Sequence, residues 1–218
     1  MNENVFPPSI AENTYREIRK DIIFGHLVPG SRLRLDRLKS AYGTSVSTLR
    51  EILNRLASEG LVVAEGQRGF EVAPISPENL KEIAELRELL ECYALEQSFE
   101  AGDLEWEARV LAAHHKLNQM EQRMLAGDRS VTEQWKRYDW EFHQTLISAC
   151  GSRVLMDTHA IIFDKYLRYQ MISLTFRGKI AADEHRQLLE AALKRDAKQA
   201  QMVLRKHVRA GIEYGLTA

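Results

Sequence analysis

The chain has 218 residues, 44% hydrophobic and 28% charged, with 30 lysines and arginines against 31 aspartates and glutamates. That composition is ordinary for a globular protein of one or two domains, and a net charge of -1 excludes a chain that grips nucleic acid by bulk positive charge alone. No apolar run is long enough to span a bilayer and no leader pattern is visible, so a cytoplasmic protein with no membrane partner is expected.

The first third is broken by Gly25, Pro29-Gly30, Gly43, Gly60, Gly66 and Gly69. Asn13 to Phe24 is amphipathic, with Tyr15, Ile18, Ile22 and Ile23 at helical spacing. Asp36 to Tyr42 predicts a short helix closed by Gly43, and Ser45 is placed to cap a third helix running to about Glu59. Leu61-Val62-Val63 and Phe70-Glu71-Val72 predict two strands around Glu65-Gly66-Gln67-Arg68-Gly69. Two helices joined by a glycine-containing turn and followed by a hairpin make a winged helix-turn-helix. Ser31 to Arg55 holds six basic residues (Arg32, Arg34, Arg37, Lys39, Arg50, Arg55) against Asp36 and Glu51. Such a patch is an electrostatic footprint for DNA, or a solvated helix surface.

Ser76-Pro77 then reads as a helix start, a cap followed by proline in the first turn. The expected organisation is therefore two domains, residues 1–74 and 75–218. The second part is helical in pattern over about 77–101, 103–126, 130–149, 152–175, 180–194 and 196–214, with Asp196 and Gln199 spaced as in a capping box. The fold class expected is mainly α, a winged helix-turn-helix followed by an all-α antiparallel helical bundle. Cys92 and Cys150 lie far apart in helical patterns, without metal-type pairing, and are expected as packed thiols.

Four polar residues sit on apolar seams of that second part. Asp139 and His143 lie among Trp135, Tyr138, Phe142 and Leu146, His185 leads into Leu188, Leu189 and Ala192, and His207 follows Ala200, Val203 and Leu204. Buried polar groups on three helices need partners, and a shared divalent metal satisfies all four. Three imidazoles and a carboxylate suit zinc, and also nickel or manganese. The alternative is four separately hydrogen-bonded core residues. Arg87 falls on the seam between Ile83-Ala84 and Leu90-Glu91, where its fork either meets a ligand carboxylate or pairs with Glu91 one turn on. His159, beside Leu155, Ile162 and Tyr166, is expected to line the same pocket or the core.

Ile23-Phe24-Gly25-His26-Leu27-Val28-Pro29-Gly30-Ser31-Arg32-Leu33 resembles the opening signature of the GntR family of bacterial transcription regulators. Gly43 to Leu53, then Leu56 and Glu59-Gly60-Leu61-Val62, resembles that family's recognition-helix motif. Downstream, Leu86-Arg87-Glu88-Leu89-Leu90-Glu91, Asp139-Trp140-Glu141-Phe142-His143, Glu184-His185-Arg186, Asp196 and His207 resemble the FCD domain of the FadR subfamily, in its shorter VanR-like form. The resemblance implies a metabolite-responsive DNA-binding regulator, more often a repressor, acting as a homodimer on a palindromic double-stranded operator, and not an enzyme. It implies DNA contacts from Ser45, Ser47, Thr48 and Arg50, with Arg34, Arg37 and Arg68 as further candidates. It implies Asp139, His143, His185 and His207 as metal ligands. A small carboxylate effector is implied near Arg87, Glu91, His159 and Tyr166. Val46 stands where the family usually carries an arginine, Thr48 where it carries proline and Ser152 where it carries asparagine, which points to a different operator. A direct metal-ion sensor and a metal-dependent hydrolase are the alternative functions.

Overall fold

The computed structural model describes residues 9–64, 66, 69–172 and 176–217. The chain divides into two compact units, Met1–Ser76 and Pro77–Ala218.

The first unit holds α1 (Ile10–Ile23), α2 (Leu35–Tyr42), α3 (Val46–Ser58), β1 (Val62–Ala64) and β2 (Phe70–Val72). α1 starts three residues before the apolar periodicity does, because the Ser9 hydroxyl caps it by accepting from the Glu12 N–H. Gly43 closes α2 in the left-handed conformation at φ 63°, where a side chain would be strained. β1 and β2 pair antiparallel, Val62 opposite Val72 and Ala64 opposite Phe70. The unit's core is Ile18, Ile22, Leu38, Leu49, Leu53, Leu56 and Val72, drawn from all three helices and the hairpin. Arg68, expected between the strands, lies outside the described residues.

The second unit holds α4 (Pro77–Ala101), α5 (Leu104–Leu125), α6 (Thr132–Leu146), α7 (Arg153–Ile172), α8 (Lys179–Leu193) and α9 (Ala197–Thr217). A 3-10 turn over Arg129–Val131 precedes α6 where a continuous helix was expected, because Asp128 accepts from the Ser130 N–H and hydroxyl and tightens the entry. Asp103 and Asp196 cap α5 and α9 by accepting from the N–H groups of Trp106 and Gln199. α4 packs on α7 and α9, α5 on α6 and α8, and α8 on α9. Their shared core runs from Leu80 through Trp106, Phe142 and Leu188 to Val208. No described helix is long and apolar enough to cross a membrane.

Candidate metal centre and recognition helix

Asp139 and His143 stand one turn apart on α6, His185 on α8 and His207 on α9, and all four are buried. Their ligand-type atoms lie within 4.8 Å of one another. That spread is a few tenths of an ångström wider than the roughly 4.4 Å spanned by opposite ligands about 2.2 Å from one ion. Asp139 Oδ1, His143 Nε2 and His185 Nε2 are buried without a hydrogen-bond partner among the described residues. The closest approach, 3.2 Å between His185 Nε2 and Asp139 Oδ1, is an ion-pair distance without hydrogen-bond alignment. Orphaned buried donor and acceptor atoms are costly, and a small divalent cation among them removes that cost. The residues present fit such an ion.

The outer nitrogens support this. His143 Nδ1 donates to Glu91 Oε2 at 2.9 Å, His185 Nδ1 to Glu121 Oε1 at 2.6 Å, and His207 Nδ1 to Glu184 Oε2 at 3.0 Å. A carboxylate on each Nδ1–H fixes the tautomer that leaves Nε2 with its lone pair, the arrangement typical of metal-binding histidine. Arg87 Nη2 and Arg177 Nη2 also lie 3.1 and 2.9 Å from His143 Nδ1 and His207 Nδ1. Arginine only donates, so with the proton on Nδ1 those approaches are contacts and not bonds.

The electrostatics follow from burial and these partners. Burial disfavours the Asp139 carboxylate, yet Lys136, His185 and His143 outweigh it and hold its pKa well below the usual range. Burial pushes His143 and His207 down, so both are neutral near pH 7. His185 goes the other way: burial opposes its charge, but Glu121 and Asp139 prevail and raise it to about 9.

The expected effector residues also come together. Arg87 Nε donates to Glu91 Oε1 at 2.6 Å, and His159 Nε2 lies 2.7 Å from the same oxygen. The Arg87 guanidinium lies over the rings of Phe163 and Tyr166, at 4.2 and 4.6 Å. Its Nη1 has no partner among the described residues, so one donor remains unused. The intrahelical Arg87–Glu91 pair is thus present, and half of the fork is left over.

In the first unit the Ser45 hydroxyl accepts from the Thr48 N–H and caps α3, while lying 2.8 Å from the Ser47 hydroxyl and 2.9 Å from that of Thr48. This clusters three hydroxyls at the N-terminal end of α3. Arg34, Arg37 and Arg50 are exposed and make no ion pair among the described residues, so Arg50 does not pair with Glu51. Arg55 differs from the basic patch it was counted with. It binds Glu12 at 2.9 Å and lies over Tyr15 at 3.6 Å, so its charge is compensated within the unit.

Residues 10–72 match the model of the bacterial regulatory proteins of the gntR family, and residues 82–210 match that of the FCD domain. The chain belongs to the GntR family and carries an FCD domain. It is a DNA-binding transcriptional regulator and not an enzyme. It is 37% identical to the HTH-type transcriptional regulator BphR of Paraburkholderia xenovorans over 206 residues, 94% of this chain and 84% of that one. It is 32% identical to the HTH-type transcriptional repressor GlaR of Escherichia coli over 201 residues, 89% and 90% of the two chains. Escherichia coli McbR/YncC shares the fold, with a TM-score of 0.82, 21% identity and coverage of 97% and 99%.

Sequence reasoning missed three residues of the regulator's buried cluster. Glu121 sits on the α5 seam between Leu117 and Met124, a glutamate at an apolar register position that was legible as an anomaly. Lys136, beside Trp135 on the α6 seam, puts Nζ 3.4 Å from Asp139 Oδ2 and donates to Gln170 Oε1 at 2.7 Å. Arg177 lies ahead of α8, where no periodicity marks it, and reaches Glu184 at 2.9 Å.

Proposed function

We propose that this regulator is a repressor that binds a palindromic operator as a homodimer, holds a divalent ion on Asp139, His143, His185 and His207, and leaves DNA when a small organic acid binds near that ion. The buried cluster carries the reading, because three imidazoles whose Nδ1 atoms each meet a glutamate have their Nε2 atoms left for a shared cation. Zinc suits the donor set, and nickel or manganese also fit. The ion would polarise a ligand oxygen; the unused Arg87 Nη1 supplies a second anchor, with Glu91, His159 and Tyr166 holding the guanidinium in place. Arg34 and Arg37 serve phosphates, and Ser45, Ser47, Thr48 and Arg50 the operator at the end of α3. The name of the GlaR relative supports the repressor reading.

The test is fluorescence anisotropy of promoter DNA with metal-loaded protein, with and without a panel of carboxylates. Operator binding should weaken at least about tenfold with the correct acid. Arg50→Ala should cost about 1–3 kcal/mol in specific binding. Control of DNA affinity by metal concentration alone, with no response to any acid, would instead establish a direct metal sensor.

The ion should also compete with a proton. With His185 raised to about 9 in the ion-free protein, its imidazole is charged at pH 7, and a metal must displace one proton. His143 and His207 are already neutral and release none. Apparent metal affinity should therefore rise about tenfold per pH unit from pH 6.5 towards 9 and then level off. Calorimetry in buffers of different ionisation enthalpy measures this; affinity independent of pH over that window contradicts it.

A further inference from the structure

The first turn of α3 carries no charged side chain. Val46, Ser47, Thr48 and Leu49 open the helix, and Arg50 is its first ionisable residue. Leu49 is buried in the core of the unit, whereas Val46 is half-exposed and lies outside that core. Val46 and Arg50 stand four residues apart, so they share one face of the helix.

The hydroxyls beside Val46 are partly saturated. A hydroxyl holds one hydrogen and two lone pairs. Ser45 Oγ accepts from the Thr48 N–H at 3.1 Å and lies 2.8 Å from Ser47 Oγ and 2.9 Å from Thr48 Oγ1. Its one hydrogen serves one of these neighbours, and its remaining lone pair takes the hydrogen of the other. Of the Ser47 and Thr48 hydroxyls, therefore, one keeps its hydrogen and the other shows only lone pairs. The side chains of the first turn thus offer a single O–H donor next to methyl groups, and no fork of two donors.

That set matches one base edge. In the major groove guanine shows two acceptors, N7 and O6, which suit a two-pronged donor, while thymine shows one acceptor, O4, beside its C5 methyl. Resting on the proposed placement of the α3 end against the operator, we infer that Val46 selects thymine. Its methyl groups cover the C5 methyl, and the hydroxyl hydrogen left over at Ser47 or Thr48 donates to O4. Each half-site then carries an A·T pair facing Val46.

The test is selection of duplexes from a randomised pool by full-length protein, native and Val46→Arg. Anisotropy then follows on the selected duplex, with deoxyuridine replacing single thymidines so that only the methyl is lost. Val46 is half-exposed at the first helical position, so its substitution spares the core, and an unchanged thermal transition checks this. Native protein should select an A·T pair at one position of each half-site, and uracil there should weaken binding about fourfold, the worth of one buried methyl group. Val46→Ala should abolish that uracil effect. Val46→Arg should switch the selected pair to G·C by about fivefold or more, since arginine supplies the missing fork. Uracil without effect at every thymine, or the same selected pair in native protein and Val46→Arg, overturns the inference. If Arg50→Ala nevertheless alters the selected sequence, the reading of α3 stands. If neither variant alters it while DNA is still bound, both fall.

Discussion

Replacing Glu91 with alanine is expected to lower the unfolding free energy of the helical unit by about 3–5 kcal/mol, the cost of stranding a buried charge. Glu91 accepts from Arg87 through one oxygen and from His143 through the other, and His159 lies 2.7 Å from the first. Burial alone would disfavour its charge, but Arg87 and His143 hold it ionised well below the usual carboxylate range. Without it the fully buried Arg87 cation loses its hydrogen-bonded carboxylate and is left with the ring faces of Phe163 and Tyr166 and the nearby His143 Nδ1. Glu91→Gln retains one acceptor and should lose less. The double variant Arg87→Met with Glu91→Leu should recover much of the loss, because it leaves no charge unpaired. Trp106, Trp135 and Trp140, all three tryptophans of the chain, lie in the second unit, so fluorescence-detected urea unfolding reports on that unit directly. A loss below about 1 kcal/mol for Glu91→Ala would mean that Arg87 finds its counter-charge elsewhere.

Metal loading should produce a stability change of similar size with the opposite sign. An ion that binds only the folded cluster adds about 4 kcal/mol when its free concentration is a thousand times its dissociation constant. The gain arises because Asp139 Oδ1, His143 Nε2 and His185 Nε2 exchange an unpartnered state for coordination. His185→Ala removes one donor and also strands the Glu121 carboxylate, which is itself buried. That variant should be less stable without metal and gain little from zinc. Glu121→Gln is the finer probe. It keeps His185 as a donor but removes the charge that holds its Nδ1 proton, and should weaken metal binding about 10–100-fold. Thermal scans with added zinc and with chelator measure both effects; an equal zinc response in native protein and His185→Ala would place the ion elsewhere.

Much of the fold was legible because its helices bury one face each. Ile18 and Ile22, or Phe142 and Leu146, recur at the spacing of a helical turn, and Ser45 and Asp196 stand one residue ahead of α3 and α9, whereas the Ser9 cap that starts α1 early was not read. The four-residue cluster was legible for the complementary reason, since each member interrupts an apolar seam. What escaped was pairing across long sequence separations. Arg55 counts as a free cation until Glu12, 43 residues away, is seen to bind it. Glu121 meets His185 over 64 residues, and no local pattern links the two. Lys136 went unread although Asp139, one turn on, was expected on the buried seam; its own burial and its 3.4 Å approach to that carboxylate appear only in the packed structure. The Arg129–Val131 turn was missed because two hydrogen bonds that Ser130 donates to Asp128, and not hydrophobic spacing, decide its geometry.

Asp139, His143, His185 and His207 are proposed to hold one divalent ion. Elemental analysis of purified native protein and of His185→Ala, each before and after incubation with zinc, nickel and manganese, tests it most directly. About one ion per chain is expected in the native protein and far less in the variant under the same conditions. No ion in the native protein after incubation with any of the three metals would contradict it.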